Sequence, residues 1–169
     1  DQLRARARDS VEKHGEGLMD FALLPEDVPQ AIVEAKSRGL ALAGPQDGGR
    51  KRPDGREIRW QTARPSTYDL PFLCGDVTPR GDRVPGGDAC RHANGAIGIA
   101  GLTVAVHDPE VTLRRYEALL GRIERTESGL RLGETTITLV RTRRARGEGP
   151  VALRLRTGAT HGVAMELAP

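Results

Sequence analysis

The 169-residue sequence has few of the features that mark membrane, secreted or disulfide-rich proteins. Its longest nearly apolar run, residues 96–106, is far too short to span a bilayer. No charged-then-apolar leader precedes that run, so we expect a cytoplasmic protein without a membrane partner. The only two cysteines, Cys74 and Cys90, fit no metal or redox spacing and are most simply two free thiols. The alternative, a disulfide, depends on geometry that a sequence does not reveal.

Signatures of several enzyme and nucleic-acid-binding classes are missing as well. The chain has no Gly-x-Ser-x-Gly string and no phosphate loop, and its paired glycines lack the strand–glycine–helix context of a nucleotide site. Aromatic residues are only 3% of the chain, and its 26 basic residues are nearly matched by 23 acidic ones. We therefore expect solvated loops at the arginine-rich segments 4–8, 50–52 and 141–146, and no nucleic-acid partner.

Two segments of the chain share one pattern of apolar runs, caps and glycines. Leu24–Gly39 and Val106–Gly121 have equal lengths, and each runs from the end of an apolar strand to a glycine that stops a helix. Asp27 and Asp108 are the predicted N-caps. Helices are predicted near residues 26–38 and 109–120. Because three short strands follow each helix, the pattern indicates a repeated β-α-β-β-β unit.

The repeat predicts an α+β protein whose paired βαβββ modules form curved sheets around a cup, because one unit cannot bury both faces of its sheet. The predicted parts are a lead-in at 1–15, a first module at 16–75, a crossing loop at 76–96, and a second module with extra C-terminal strands at 97–169. In the first module we expect strands at 18–24, 40–43, 56–62 and 68–74, and a turn-rich segment at 44–55. Pro71 suggests an edge strand or a bulge.

The order of several short strings resembles a known family. Arg52-Pro53-Asp54-Gly55 and Trp60, then Leu70-Pro71-Phe72-Leu73, then His92-Ala93-Asn94-Gly95-Ala96 are similar to the glyoxalase-like domain of the vicinal oxygen chelate superfamily. The likeness covers about residues 16–140. It implies paired βαβββ modules that bind a small molecule. If the protein is an enzyme, it implies metal-assisted lyase, isomerase or dioxygenase chemistry.

The resemblance also implies a divalent metal, held by a histidine on the first strand of a module and a glutamate on the last. The first-strand position falls on Asp20 in one unit and on Gly101 or Leu102 in the other. The last-strand positions fall on side chains that cannot ligate: Phe72, Ile137 and Leu139. We therefore expect no complete metal set from this chain.

Weak metal candidates remain in Asp20 and Glu166. Asp20 faces the cup, pairs with an arginine or marks a strand edge, while Glu166 is a lone carboxylate on the final strand. Superfamily members usually carry a further βαβββ module before the point where this chain begins, at Asp1 rather than Met. A metal cofactor is therefore expected only if such a module, or a homodimer partner, supplies ligands.

The candidate ligand-binding residues are His92, Asn94 and Trp60. The imidazole of His92 could serve as a base or a ligand contact, while Trp60 offers a flat surface. The alternatives are structural, because Asn94-Gly95 is a turn pair, His92 could hydrogen-bond the backbone and Trp60 could pack in the core. The predicted function is small-molecule binding with its catalytic status open. The rivals are a metal-free sequestering protein and a non-catalytic assembly domain.

Overall fold

The structure is a computed structural model that describes residues 16–142 and 147–157, residues 8, 11 and 12, and the backbone of residues 164–165. The first sheet has the strand order β1–β4–β3–β2. Its strands are β1 (Ala22–Leu23), β2 (Ala43–Lys51), β3 (Glu57–Arg64) and β4 (Phe72–Asp76). Helix α1 (Val28–Ser37) connects β1 to β2 and packs on one face of this sheet.

The second sheet has six strands in the order β10–β9–β5–β8–β7–β6. They are β5 (Ala96–Val106), β6 (Glu124–Thr126), β7 (Gly129–Leu132), β8 (Thr135–Arg141), β9 (Gly149–Thr157) and β10 (Ala164–Met165). Helix α3 (Pro109–Leu120) follows β5 and packs on one face of this sheet. Between the sheets, the crossing segment contains the short helix α2 (Arg80–Arg83) and a 3-10 turn at Gly87–Cys90.

The predicted α+β class with repeated βαβββ modules is confirmed. In both modules the first strand pairs in parallel with the last, β1 with β4 and β5 with β8, and the two middle strands lie beyond it. The predicted N-caps also form, since the Asp27 carboxylate accepts from the Gln30 amide and the Asp108 carboxylate from those of Glu110 and Val111. Strands β9 and β10 extend the second sheet on the other side of β5.

The prediction of a turn-rich segment at 44–55 is wrong for most of its length, because residues 43–51 form edge strand β2. Its glycines are used for close packing rather than for turns. A Cβ on Gly48 would lie 2.3 Å from Nε1 of Trp60, which is paired with it across the strands. At an edge, Pro45 is also tolerated, because the register is irregular between residues 43 and 46.

Two other strand predictions need correction. The apolar run at 18–24 yields only the two-residue strand β1. Strand β4 begins after Pro71 and lies between β1 and β3, so the proline precedes an interior strand instead of marking an edge or a bulge. A proline without an amide hydrogen is compatible with a position just outside the ladder.

The two modules share a core on the helix side of both sheets. Leu119 of α3 packs with residues of the first module, while Leu40 and Leu120 contact both core clusters. Arg38, just after α1, donates from Nε to the Ala118 carbonyl at 2.8 Å and so satisfies a free carbonyl at the end of α3. Among the described residues, no helix has the length and apolar character needed to cross a membrane.

A buried polar cluster joins the segment before β4 to α3. Asp69, which is fully buried, accepts hydrogen bonds from Thr112 Oγ1 at 2.9 Å and Arg115 Nη1 at 2.8 Å. Burial opposes ionisation of Asp69, but hydrogen bonds from Thr67, Arg115 and Thr112 outweigh it and lower the pKa of this carboxyl. The carboxylate therefore connects the first module to the helix of the second.

Candidate functional site

The six-stranded sheet has one face covered by α3 and an opposite face that is polar. Strand alternation places Leu102, Ile137 and Leu153 toward α3, where they join its core. The register places their neighbours on the other side, which we call the open face. Its central residues are Gly101, Thr103, Arg131, Thr136, Thr138 and Arg154.

Arg154 lies over Gly101 at the centre of the open face. The two residues are register partners on β9 and β5, and a Cβ on Gly101 would lie 2.8 Å from Nη2 of Arg154. The absence of a side chain at Gly101 thus gives the guanidinium its place close to the sheet. No carboxylate in the described part of the chain forms an ion pair with Arg154.

Three threonines lie on the same face of the neighbouring strands β5 and β8. Thr136 is the partner of Gly101 on β8, and Thr103 and Thr138 form the next pair along the same strands. All three side chains are partly exposed, and within residues 16–142 and 147–157 none of their hydroxyls has a protein hydrogen-bond partner. Among the described residues, the open face therefore combines a cation that has no acidic partner with several hydroxyls that have no protein partner.

Two other arginines on this sheet are neutralised locally. Arg131 pairs with Glu124 at 3.2 Å, on the neighbouring strand β6. Arg156, two residues after Arg154, pairs with Glu134 in the turn before β8. Within the described ranges, Arg154 is therefore the arginine of the open face that has no acidic partner.

The corresponding face of the four-stranded sheet is occupied by contacts within the chain. Asp20 accepts from Arg64 Nη1 at 2.8 Å, and the Arg64 guanidinium lies 4.1 Å from the centre of the Phe72 ring. At the other end of β4, a hydrogen bond from Arg83 lowers the pKa of the Asp76 carboxyl. Of the alternatives for Asp20, the structure thus supports pairing with an arginine.

The sequence-predicted ligand residues lie in two separate places. Trp60 is half-buried on β3 of the four-stranded sheet, against Gly48. His92 and Asn94 lie in the exposed turn that leads into β5. There the His92 carbonyl accepts from the Gly95 amide at 2.9 Å and the Asn94 carboxamide from Ala96 at 3.1 Å. No hydrogen bond joins Trp60 to this turn among the described residues, and a ligand role for the three stays a prediction.

A surface cavity of 410 Å³ lies on the hairpin of β2 and β3. Its lining is mostly glycine and charged side chains of both signs: Asp47, Gly48, Gly49, Arg50, Lys51, Glu57, Ile58 and Arg59. Small-molecule pockets are usually lined by apolar and aromatic side chains. The lining contributes only one, Ile58, and that residue is already fully buried. The cavity is therefore a weaker candidate than the open face.

The two cysteines lie on separate elements of the fold. Cys74, half-buried on β4, and Cys90, exposed in the crossing segment, are both free thiols. Glu166 lies outside the described residues, so its assignment stays a prediction.

The residues missed by sequence reasoning are Arg154 and the threonines. The threonines could have been found from the alternation along β8, where Thr136 and Thr138 flank the apolar Ile137. The last-strand metal position was expected at Ile137 and Leu139, but the side chains of these residues face α3. Of the two residues considered on β5, Leu102 also belongs to the core, so Gly101 is the one on the open face.

Comparison with protein families gives the decisive match. Residues 1–120, more than half of the chain, match the model of the glyoxalase-like domain. The chain belongs to the glyoxalase-like domain family. Its mixed sheets and paired βαβββ modules are those of the vicinal oxygen chelate fold, a general small-molecule-binding fold. None of the curated proteins matches the chain.

A solved structure supports the same fold. A hypothetical protein from Staphylococcus aureus superposes with a TM-score of 0.61 at 15% sequence identity. The match covers 82% of this glyoxalase-like chain but 59% of the neighbour, so the chain spans less than two thirds of that protein.

The donor set of the open face does not fit the divalent metal that the superfamily implies. At the first-strand position Gly101 offers no ligand, and the Arg154 guanidinium fills the space in front of it. A positive charge there repels a metal cation, and threonine hydroxyls are poor substitutes for imidazole and carboxylate. Nowhere in the described part of the chain do three or more His, Cys, Asp or Glu side chains gather in a way that could hold a metal ion.

Proposed function

We propose that this glyoxalase-like domain binds a small molecule on the open face of its six-stranded sheet by direct polar contacts, without a metal ion held by its own residues. The observation that carries the proposal is the Arg154 guanidinium over Gly101. It supplies positive charge at the place where the resemblance puts a metal ligand. The threonines beside it supply hydroxyl groups for orientation.

Metal-assisted lyase, isomerase or dioxygenase chemistry is the alternative. It needs a histidine and a carboxylate from a segment or subunit outside the residues described, since the open face supplies neither. One observation favours this alternative: the match covers only 59% of the Staphylococcus aureus neighbour, so that protein has further chain outside the matched part. The third candidate function is assembly with a partner protein.

The test measures small-molecule binding with the open face intact and blocked. A fragment panel is screened by saturation-transfer NMR against the full-length protein, with and without EDTA. Thr136→Trp fills the centre of the open face, and Val33→Trp adds the same side chain at an exposed position of α1, which is 62% exposed in the native protein. We expect binders that tolerate EDTA, are lost in Thr136→Trp and persist in Val33→Trp, with both variants folded by circular dichroism.

The other outcomes each overturn the proposal. Binding that requires added divalent metal would favour the metal-assisted alternative. Binders that are insensitive to Thr136→Trp would place the ligand elsewhere, for example at the β2–β3 cavity or the His92 turn. A complete lack of binders, together with a defined oligomer in solution, would favour the assembly role.

A further inference from the structure

We infer that the ligand of the open face is anchored through an oxyanion, a carboxylate or a phosphate, that binds the Arg154 guanidinium. This inference rests on the proposed function, because it names the chemical class of the molecule that the open face holds.

The first step is the charge of the open face. Of the arginines on or beside it, Arg131 and Arg156 are neutralised by glutamates, whereas Arg154 has no acidic partner in the described ranges. A cation without a local counter-charge attracts anions and disfavours cations. The face therefore selects for negative charge in its ligand.

The second step is the position of the guanidinium. Because Gly101 has no side chain, Nη2 of Arg154 lies 2.8 Å from the point that a Cβ would occupy. Arg154 is exposed, so a ligand can reach this guanidinium beside the backbone of β5.

The third step is the geometry of the donors. A guanidinium presents parallel N–H groups that match the two oxygens of a carboxylate or phosphate. Thr136 is directly across from Gly101, and Thr103 lies two residues along the same face of β5. Their hydroxyls can donate to an oxygen atom bound at the guanidinium.

Neutral ligands would use this arrangement less well. A carbonyl oxygen accepts a hydrogen bond from Arg154, but it does not compensate the charge. A carboxylate adds the Coulomb attraction of its own charge and accepts from two N–H groups of the guanidinium at once. The discrimination should appear when two ligands differ only in that charge.

The experiment compares matched probes on matched variants of the full-length protein. Benzoate and benzamide share ring and shape but differ in charge, and inorganic phosphate separates the two oxyanion sources. Chemical-shift titrations give the dissociation constants. Arg154→Gln removes the charge, Arg154→Lys keeps it without the fork, and Arg114→Gln is the control at an exposed arginine of α3.

We expect native protein to bind benzoate about tenfold more tightly than benzamide, a difference that Arg154→Gln abolishes and Arg154→Lys reduces. Arg114→Gln should match the native protein. Phosphate binding that is lost in Arg154→Gln would assign a phosphate ligand, while benzoate binding alone would assign a carboxylate.

Equal affinity for benzoate and benzamide without phosphate binding that depends on Arg154, or equal losses in Arg154→Gln and Arg114→Gln, would overturn the inference. These outcomes can be distinguished from a failure of the proposed function. If fragments bind and Thr136→Trp blocks them, yet Arg154→Gln changes nothing, only the oxyanion assignment is wrong. If Thr136→Trp blocks no binder, the open face itself is wrong.

Discussion

The two modules have the same strand order, but they differ on the sheet face that lies opposite the helix. In the first module this face contains Asp20 paired with Arg64, Phe72 beneath that arginine, and Trp60 packed on Gly48. In the second, a guanidinium and several hydroxyls are left without protein partners among the described residues. One fold therefore carries one internally satisfied face and one face with unused polar groups.

This difference indicates that the two sheet faces contribute differently to stability and to ligand binding. Ion pairs and aromatic contacts on the first face contribute to stability, because each group is ordered by another group of the chain. Unused donors contribute little to stability, but they remain available to a ligand. The comparison predicts that equivalent substitutions in the two modules have unequal consequences.

The largest effect is expected where the modules are joined. Asp69→Ala should lower the free energy of unfolding by about 3 kcal/mol, because it leaves Thr112 and Arg115 without their buried carboxylate partner. Urea denaturation measures the loss. Arg114→Ala, on the exposed side of the same helix, should change stability by less than about 0.5 kcal/mol. Equal losses in the two variants would contradict a linking role for Asp69.

The pH dependence of stability gives a second test of the same link. The pKa of Asp69 is lowered in the folded protein, so the ionised carboxylate stabilises the fold above its ordinary value of 3.8. That contribution is lost as the pH falls through the folded pKa. Asp69→Asn should therefore lower stability at pH 7 and make the decline below about pH 4 shallower. An unchanged acid slope would show that Asp69 does not contribute to it.

Two glycines allow a matched test of the faces. Gly48→Ala should cost about 1.5 kcal/mol, because the new Cβ lies 2.3 Å from Trp60 Nε1 and displaces a packed ring. Gly101→Ala should cost about 1 kcal/mol, since the new Cβ meets the movable end of Arg154 at 2.8 Å and the Thr136 carbonyl oxygen at 3.1 Å. Thermal denaturation measures both.

The second glycine variant should instead affect ligand binding. Gly101→Ala displaces the Arg154 guanidinium and should weaken benzoate binding, whereas Gly48→Ala should not. A reversal, with Gly48→Ala reducing benzoate binding, would assign the ligand to the first module.

The smallest effects concern the two arginines. Arg64→Ala should cost about 1 kcal/mol, because it removes a partner of Asp20 and a cation over Phe72. Arg154→Ala should change stability by less than about 0.5 kcal/mol, since its guanidinium has no ion-pair partner in the described residues. A larger loss for Arg154→Ala than for Arg64→Ala would remove the distinction between the faces.

Much of the local structure could be predicted because its causes are local. Asp27 and Asp108 begin helices through hydrogen bonds within a few residues, and Gly121, with a φ of 79°, stops the second. Matched spacing then predicted the repeat. The glycine-rich edge strand β2 could not be predicted, because its glycines pack against the adjacent strand, Gly48 against Trp60, and do not form a turn.

The sequence by itself determined the repeated module and its helices, since these follow from periodicity and capping. Only the tertiary structure decided which face each strand residue occupies, because a shift of one residue in register exchanges the two faces. It placed Leu102 and Ile137 in the core and Gly101 on the open face. It also brought Arg154 over Gly101 from a strand more than fifty residues away, a contact that side-chain spacing along the chain does not encode.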